Sequence, residues 1–306
     1  MAFTAKDVQT LRQTTNCGMM DCKKALTEAD GDMDKAIEFL REKGLAAVAK
    51  KANRIAAEGV VIATFDQDKK IGAVVEVNSE TDFVAKNADF VAFVELCAKT
   101  IIDQNPADID ALLACKAGER TIEELLRDKV LVIGENLKIR RFVRAEGDIA
   151  TYIHGGGKIG VMVKFETTGD VASKAEFIEL GKDVAMQIAA INPLYLKKEE
   201  VPAEVIEKEK EILVAQIQND EKLKNKPAQV IDKMVNGKVI KYYKENCLVE
   251  QSFVKDDKVT VGEHIDNVAK TLGATIKAVS FVRFEKGEGI EKREDNFADE
   301  VANMVK

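Results

Sequence analysis

AEGVVIATFDQDKKIGAVVEVNSETDFVAK, residues 57–86, lines up without a gap on AEGDIATYIHGGGKIGVMVKFETTGDVASK, residues 145–174, positions 88 apart. Self-similarity at a fixed offset marks an internal duplication, and two copies are too few for a solenoid. In the first copy Gly59–Phe65 and Ile71–Val77 alternate as strands about the turn Asp66-Gln67-Asp68, which predicts a hairpin. The second strand of each copy carries Lys-Ile-Gly, at 70–72 and at 158–160. A helix follows the first hairpin, with Phe90, Phe93, Val94, Cys97 and Ile101 on one stripe, and both copies run to an Asn-Pro pair (Asn105-Pro106, Asn192-Pro193). Arg141–Arg144 and Ser280–Arg283 echo each other as alternating strands, one for each hairpin. The fold class this predicts is α+β, with two related subdomains built on small, three-stranded antiparallel sheets.

Outside the repeat the pattern is helical. Thr4 and Asp7 have capping-box spacing ahead of Val8 and Leu11. A turn at Asn16-Cys17-Gly18 leads into Met19–Ala29, and Asp30-Gly31-Asp32 opens a third helix that Gly44 is placed to cap. This start resembles the ubiquitin-associated type of three-helix domain, with Gly18-Met19-Met20 in the loop where such domains keep an apolar contact patch. LAAVAKKANR, residues 45–54, reads as a helical or flexible connector. Residues 201–246 are highly charged, with apolar positions at helical spacing and a break near Pro227, which predicts an antiparallel helical hairpin, a coiled coil. Phe297, Val301 and Met304 give the tail Asn296–Lys306 an amphipathic helical pattern. The expected domains are 1–54, a three-helix domain and linker; 55–144, the first core subdomain; 145–200 with 247–286, the second; 201–246, the helical hairpin; and 287–306, a C-terminal module.

A net charge of −7 and a pI near 5.3 argue against a protein that works by neutralising phosphates, so no direct nucleic-acid partner is expected and protein partners are. The start lacks the apolar core of a signal peptide, and no apolar run is long enough to span a bilayer, which predicts a cytoplasmic protein with no membrane contact. Five cysteines with no CxxC pair suit reduced thiols, and His154 and His264 stand far from any cysteine pair, so no metal site is expected.

The search for chemistry returns little. No GxxxxGK[ST] or GxGxxG loop stands between a strand and a helix to cradle a nucleotide, and no cofactor is expected. His154-Gly155-Gly156-Gly157 looks like an esterase oxyanion loop, but there is no GxSxG elbow. The same glycines read more simply as a hairpin tip whose backbone can approach another surface, with His154 exposed on it. Thr81-Asp82-Phe83-Val84 is sharper. Its plainest reading has Thr81 or Asp82 capping the next helix and Phe83 tucked under the hairpin. In the second copy the equivalents are Gly169, Asp170, Val171 and Ala172, so the acid is kept, which fits a cap, while the large aromatic belongs to the first copy alone.

Four stretches carry a resemblance to the bacterial elongation factor Ts family: Gly18-Met19-Met20-Asp21-Cys22-Lys23-Lys24-Ala25-Leu26; Glu80-Thr81-Asp82-Phe83-Val84-Ala85-Lys86; Gly134-Glu135-Asn136 with Arg140-Arg141; and Phe284-Glu285-Lys286-Gly287-Glu288-Gly289-Ile290-Glu291. The resemblance covers essentially the whole chain. It implies a guanine-nucleotide exchange factor, not an enzyme, that binds elongation factor Tu in its GDP-bound and nucleotide-free states and promotes GDP release. It further implies that Thr81, Asp82, Phe83 and Val84 bind the partner and dislodge its Mg²⁺, and that Arg12, Met19, Met20, Ile133, Gly134, His154 and the C-terminal helix also touch it. The alternative is a protein-interaction scaffold using the three-helix domain, which leaves Phe83 without a role.

Overall fold

The computed structural model describes residues 3–15, 17–220, 223 and 226–291, with the backbone alone at 45–50. The expected tail helix at Asn296–Lys306 lies outside the described residues. Three helices come first, α1 (Ala5–Thr15), α2 (Met19–Glu28) and α3 (Met33–Lys51). The expected capping box forms: the Asp7 carboxylate accepts from the Thr4 N–H at 2.7 Å, and Thr4 Oγ1 accepts from the Asp7 N–H at 3.4 Å. Leu11, Cys22, Ala25, Leu26, Ala36 and Leu40 close a small core between the helices.

The first copy of the duplication runs β1 (Glu58–Asp66), β2 (Ile71–Ser79), α4 (Asp82–Ala85), α5 (Ala88–Gln104), α6 (Ile109–Ala114), β3 (Lys116–Ala117), β4 (Arg120–Thr121), α7 (Ile122–Ile133) and β5 (Lys138–Glu146). The second runs β6 (Asp148–His154), β7 (Ile159–Thr167) and α8 (Ala175–Ile191). It is then interrupted by α9 (Ala203–Asn219) and α10 (Ala228–Asn246), which pack on each other, and resumes with β8 (Ser252–Phe253), β9 (Asp256–Thr260), α11 (Val261–Leu272) and β10 (Ile276–Glu285). Left-handed Asn105 and Asn192 end α5 and α8, so the Asn-Pro pairs are matched helix stops.

The duplication extends beyond residues 57–86 and 145–174. Residues 121–146 and 260–285 also align without a gap. Each begins with a capping box, Thr121 with Glu124 and Thr260 with Glu263, and each helix ends at a glycine, Gly134 or Gly273. The helical hairpin is therefore an insertion into the second copy.

Besides the two-stranded pairs β3-β4 and β8-β9, there are two three-stranded antiparallel sheets, ordered β1-β2-β5 and β10-β7-β6, with registers such as Val75 opposite Phe142 and Val163 opposite Phe281. Alternation assigns their faces. Val60, Ala73, Val75 and Val77 turn to α5, while Val61, Ala63 and Val74 turn to the other sheet, where they meet Ile149, Met162 and Phe284. β2 is therefore buried on both faces, and its near-continuous apolar run follows from that. The layers run helix, sheet, sheet, helix. The shared Lys-Ile-Gly has a steric cause, because a Cβ on Gly72 would come within 2.8 Å of Met162 Sδ and one on Gly160 within 2.5 Å of Val61 Cγ1. These glycines let the sheets meet back to back.

One buried carboxylate pins the sheets together. Glu76, fully buried in β2, accepts from Arg140 Nη1 at 3.0 Å, Arg141 Nε at 2.6 Å, Asn78 Nδ2 at 3.0 Å and the Gly287 N–H at 2.8 Å. Arg141 also lies over the Phe284 ring at 4.1 Å. Burial pushes the Glu76 carboxyl upward, but the four donors outweigh it and hold the group below its ordinary value. The Phe284–Glu291 motif and the Arg140-Arg141 pair are thus a structural staple.

One expected helix end is corrected. Gly44 does not cap the third helix, which continues to Lys51 through the proposed connector. Gly44 sits where α3 crosses α7, and a Cβ there would come within 2.8 Å of Leu131 Cδ1. The glycine serves close packing, not termination.

Candidate functional site

β2 leaves the sheet at Ser79 and the chain turns sharply into α4. The turn is held by carboxylates. Glu135, just past the end of α7, accepts from the N–H groups of Glu80 and Thr81, both at 3.0 Å, and from the Thr81 hydroxyl at 2.6 Å. In return Glu80 Oε1 accepts from the Asn136 N–H at 2.6 Å and meets Arg54 Nη1 at 3.5 Å. The Asn136 amide donates to the carbonyl of Arg54 at 2.8 Å, so the chain arriving from the three-helix unit is tied to the same point.

Thr81, not Asp82, is the cap of α4: its Oγ1 accepts from the Val84 N–H at 3.4 Å. Asp82 sits one residue inside the helix and pairs with Lys86 at 2.6 Å, and that ammonium holds its carboxyl below the usual range. Asp170 caps no helix, since the second copy makes bends and one turn, but no helix, between β7 and α8. The retained acid is therefore not a shared cap.

Phe83 does not tuck under the hairpin. It is 81% exposed, whereas its counterpart Val171 is 3% exposed and belongs to the second copy's core. Beside Phe83 lies an open cleft of about 430 Å³, lined by Thr81, Phe83, Val84, Asn87, Asp89, Lys129, Val132, Ile133 and Glu135. Val132, absent from the sequence-derived set, is 52% exposed. Gly134, exposed at the end of α7, adjoins the cleft. Thr81, Phe83, Val84 and Ile133 thus come together, with Asp82 and Gly134 alongside.

The remaining expected residues lie elsewhere. Arg12, Met19 and Met20 are exposed on the three-helix unit, Met20 at 75%. His154 is exposed at the β6–β7 tip and does not line the cleft; Tyr152 Oη lies 3.2 Å from its Nδ1. The tip glycines do approach a surface, the chain's own β1: Gly157 O accepts from the Val61 N–H at 2.8 Å. Cys17 and Cys22 are buried in the three-helix core, and burial pushes both thiols up. Sequence reasoning missed the roles of Glu80 and Glu135, whose only signal was their place in the two motifs. Among the described residues no helix is long and apolar enough to cross a membrane, and no three His, Cys, Asp or Glu side chains group as metal ligands.

Comparison with known proteins agrees across the chain. The family model described as Elongation factor TS matches residues 80–288. Curated relatives named Elongation factor Ts include one from Clostridioides difficile (strain 630), 51% identical over 307 residues, and one from Clostridium botulinum (strain Alaska E43 / Type E3), 52% identical over 307 residues. A third, from Clostridium kluyveri (strain ATCC 8527 / DSM 555 / NBRC 12016 / NCIMB 10680 / K1), is 49% identical over 310 residues, and each alignment covers 99% of both chains. Identity at this level over the full length, together with the motif-bearing turn, shows that the chain belongs to the elongation factor Ts family.

Proposed function

We propose that this chain is a cytoplasmic guanine-nucleotide exchange factor for elongation factor Tu that acts by binding alone and carries out no covalent chemistry. The observation that carries the reading is Phe83, 81% exposed on a turn clamped by hydrogen bonds, where the duplicate position is core. Phe83, with Thr81, Asp82 and Val84, wedges into the partner's GTPase domain and shifts the groups around its Mg²⁺ and phosphate loop. Mg²⁺ bridges and neutralises the nucleotide's phosphates, so displacing its ligands removes much of what retains GDP. Covering one Phe is worth about 1.5–3 kcal/mol, which is about ten- to a hundredfold in rate. The other contacts, Arg12, Met19, Met20, Ile133, Gly134 and His154, hold the partner in the state that fits this protein and not GDP.

The division of labour follows the domains read from the sequence: a ubiquitin-associated-like unit at 1–54, core subdomains at 55–144 and at 145–200 with 247–286, a coiled coil at 201–246 and a C-terminal module at 287–306. No nucleic acid contact is involved. The test is reciprocity, since a factor that weakens GDP binding must itself be weakened by GDP in the same ratio. Affinity for purified elongation factor Tu, measured with and without GDP, is expected to differ by the factor by which this protein weakens GDP binding. Equal affinities would instead favour a scaffold built on the exposed Met19 and Met20.

A further inference from the structure

The duplicate turn in the second copy is an internal control for the first. Thr168 and Thr275 occupy the places of Glu80 and Asn136. There the links are short: the Thr168 N–H donates to the backbone oxygen of Thr275 at 3.0 Å, and the Thr275 N–H donates to the Thr168 hydroxyl oxygen at 2.8 Å. In the first copy both links run through a carboxylate instead, from the Asn136 N–H to Glu80 and from the Glu80 N–H to Glu135. With these short links a bend and a turn follow and Val171 is buried; where carboxylates are interposed, α4 follows and Phe83 is exposed. Ala274 takes the place of Glu135 and has no carboxylate to offer.

We infer that Glu135 is a positioning residue for Phe83. One oxygen of its carboxylate accepts a hydrogen bond from the Thr81 hydroxyl at 2.6 Å, which leaves that hydroxyl's lone pair for the Val84 N–H, and the second oxygen accepts from both N–H groups ahead of the helix. Three bonds to one charged group fix the cap of a helix only four residues long, too short to hold itself in water. Glu135 thereby sets the direction of Phe83 without itself being the wedge. The inference rests on the reading of Phe83 as the group that acts on the partner.

The test compares wild type, Glu135→Ala, Phe83→Ala and the double variant in two measurements. One is hydrogen exchange at the Val84 and Ala85 amides of the free protein. The other is the maximal rate of fluorescent GDP release from elongation factor Tu at saturating factor. Glu135→Ala is expected to lose protection at both amides and to lower the maximal rate about tenfold, with less effect on half-saturation, since a positioning residue can cost no more than the about ten- to a hundredfold that Phe83 itself is worth. The double variant is expected to be no slower than Phe83→Ala alone, because a positioning effect vanishes with the group it positions. Glu135→Gln, which keeps one acceptor oxygen, should fall between wild type and alanine, and it carries the test if the alanine variant does not fold. Unchanged amide protection, a wild-type maximal rate, or additive losses in the double variant would overturn the inference. Should wild type itself fail to accelerate release, the exchange reading falls, and the amide protection alone decides the positioning role.

Discussion

Among single residues Glu76 and Phe83 mark opposite extremes, a fully buried carboxylate and an almost fully exposed aromatic ring. Removing Glu76 takes the buried carboxylate from Arg140 and Arg141 and leaves them their bonds to Glu285 and Glu288. Breaking a buried pair costs about 3–5 kcal/mol, and because each guanidinium keeps about a quarter of its exposure the low end, about 3 kcal/mol, is expected for Glu76→Ala in chemical denaturation. The pH dependence follows from the sign of the shift. The folded carboxyl lies below its ordinary 4.5, so its contribution is whole above that pH and is lost as pH falls through the lower folded value. The stability gap between wild type and Glu76→Gln should be constant near neutrality and narrow below pH 4.5. The cysteines give a second residue-scale expectation. Burial pushes Cys97 up to about 12 and Cys247 up to about 11, and Cys17 and Cys22 are raised as well. A thiol reagent at neutral pH should label half-buried Cys115 first and reach the others only as the protein unfolds. Rapid labelling of Cys17 and Cys22 would contradict the packing described.

Among elements, the hairpins, the long helices and their Asn-Pro stops were legible because local periodicity and one duplication determined them. Gly44 was misread because glycine near a helical pattern's end normally signals a cap, and only the crossing with α7, far away in sequence, shows it to be a packing position. The cap of α4 was ambiguous for a related reason. Thr81 and Asp82 are both good caps, and the choice is made by Glu135, 54 residues further on, bonding the Thr81 hydroxyl. The exposure of Phe83 could not be read from composition, though its mismatch with Val171 was visible in the alignment. At this scale α10 offers a clean test. Gly237 lies mid-helix, and a Cβ there would meet nothing within 4 Å. Gly237→Ala should stabilise the fold by about 0.5–1 kcal/mol in thermal or chemical denaturation, and a loss of stability would show that this part of the helix is not regular.

For the whole molecule, two copies of one unit pack back to back through Gly72 and Gly160 and have diverged in what they carry. The first presents an open turn with Phe83, and the second has closed that turn and taken in the α9–α10 insertion. The staple at Gly287 binds the chain's last described segment to both sheets. Gly287 has φ +69, and a Cβ there would lie 2.0 Å from Ala57 O, so Gly287→Ala should destabilise the packing of the sheets, with the loss read in chemical denaturation and in faster hydrogen exchange of β1 and β10. That architecture leaves Phe83 on a firm base beside Val132 and Ile133, as a wedge requires. The wedge is tested by the rate at which fluorescent GDP leaves purified elongation factor Tu under excess unlabelled GDP, with wild type or Phe83→Ala added. Wild type is expected to give a large, saturable acceleration, and the variant one about ten- to a hundredfold smaller, the worth of burying one Phe. Equal acceleration by both would contradict the wedge, and no acceleration by wild type would contradict the exchange function itself.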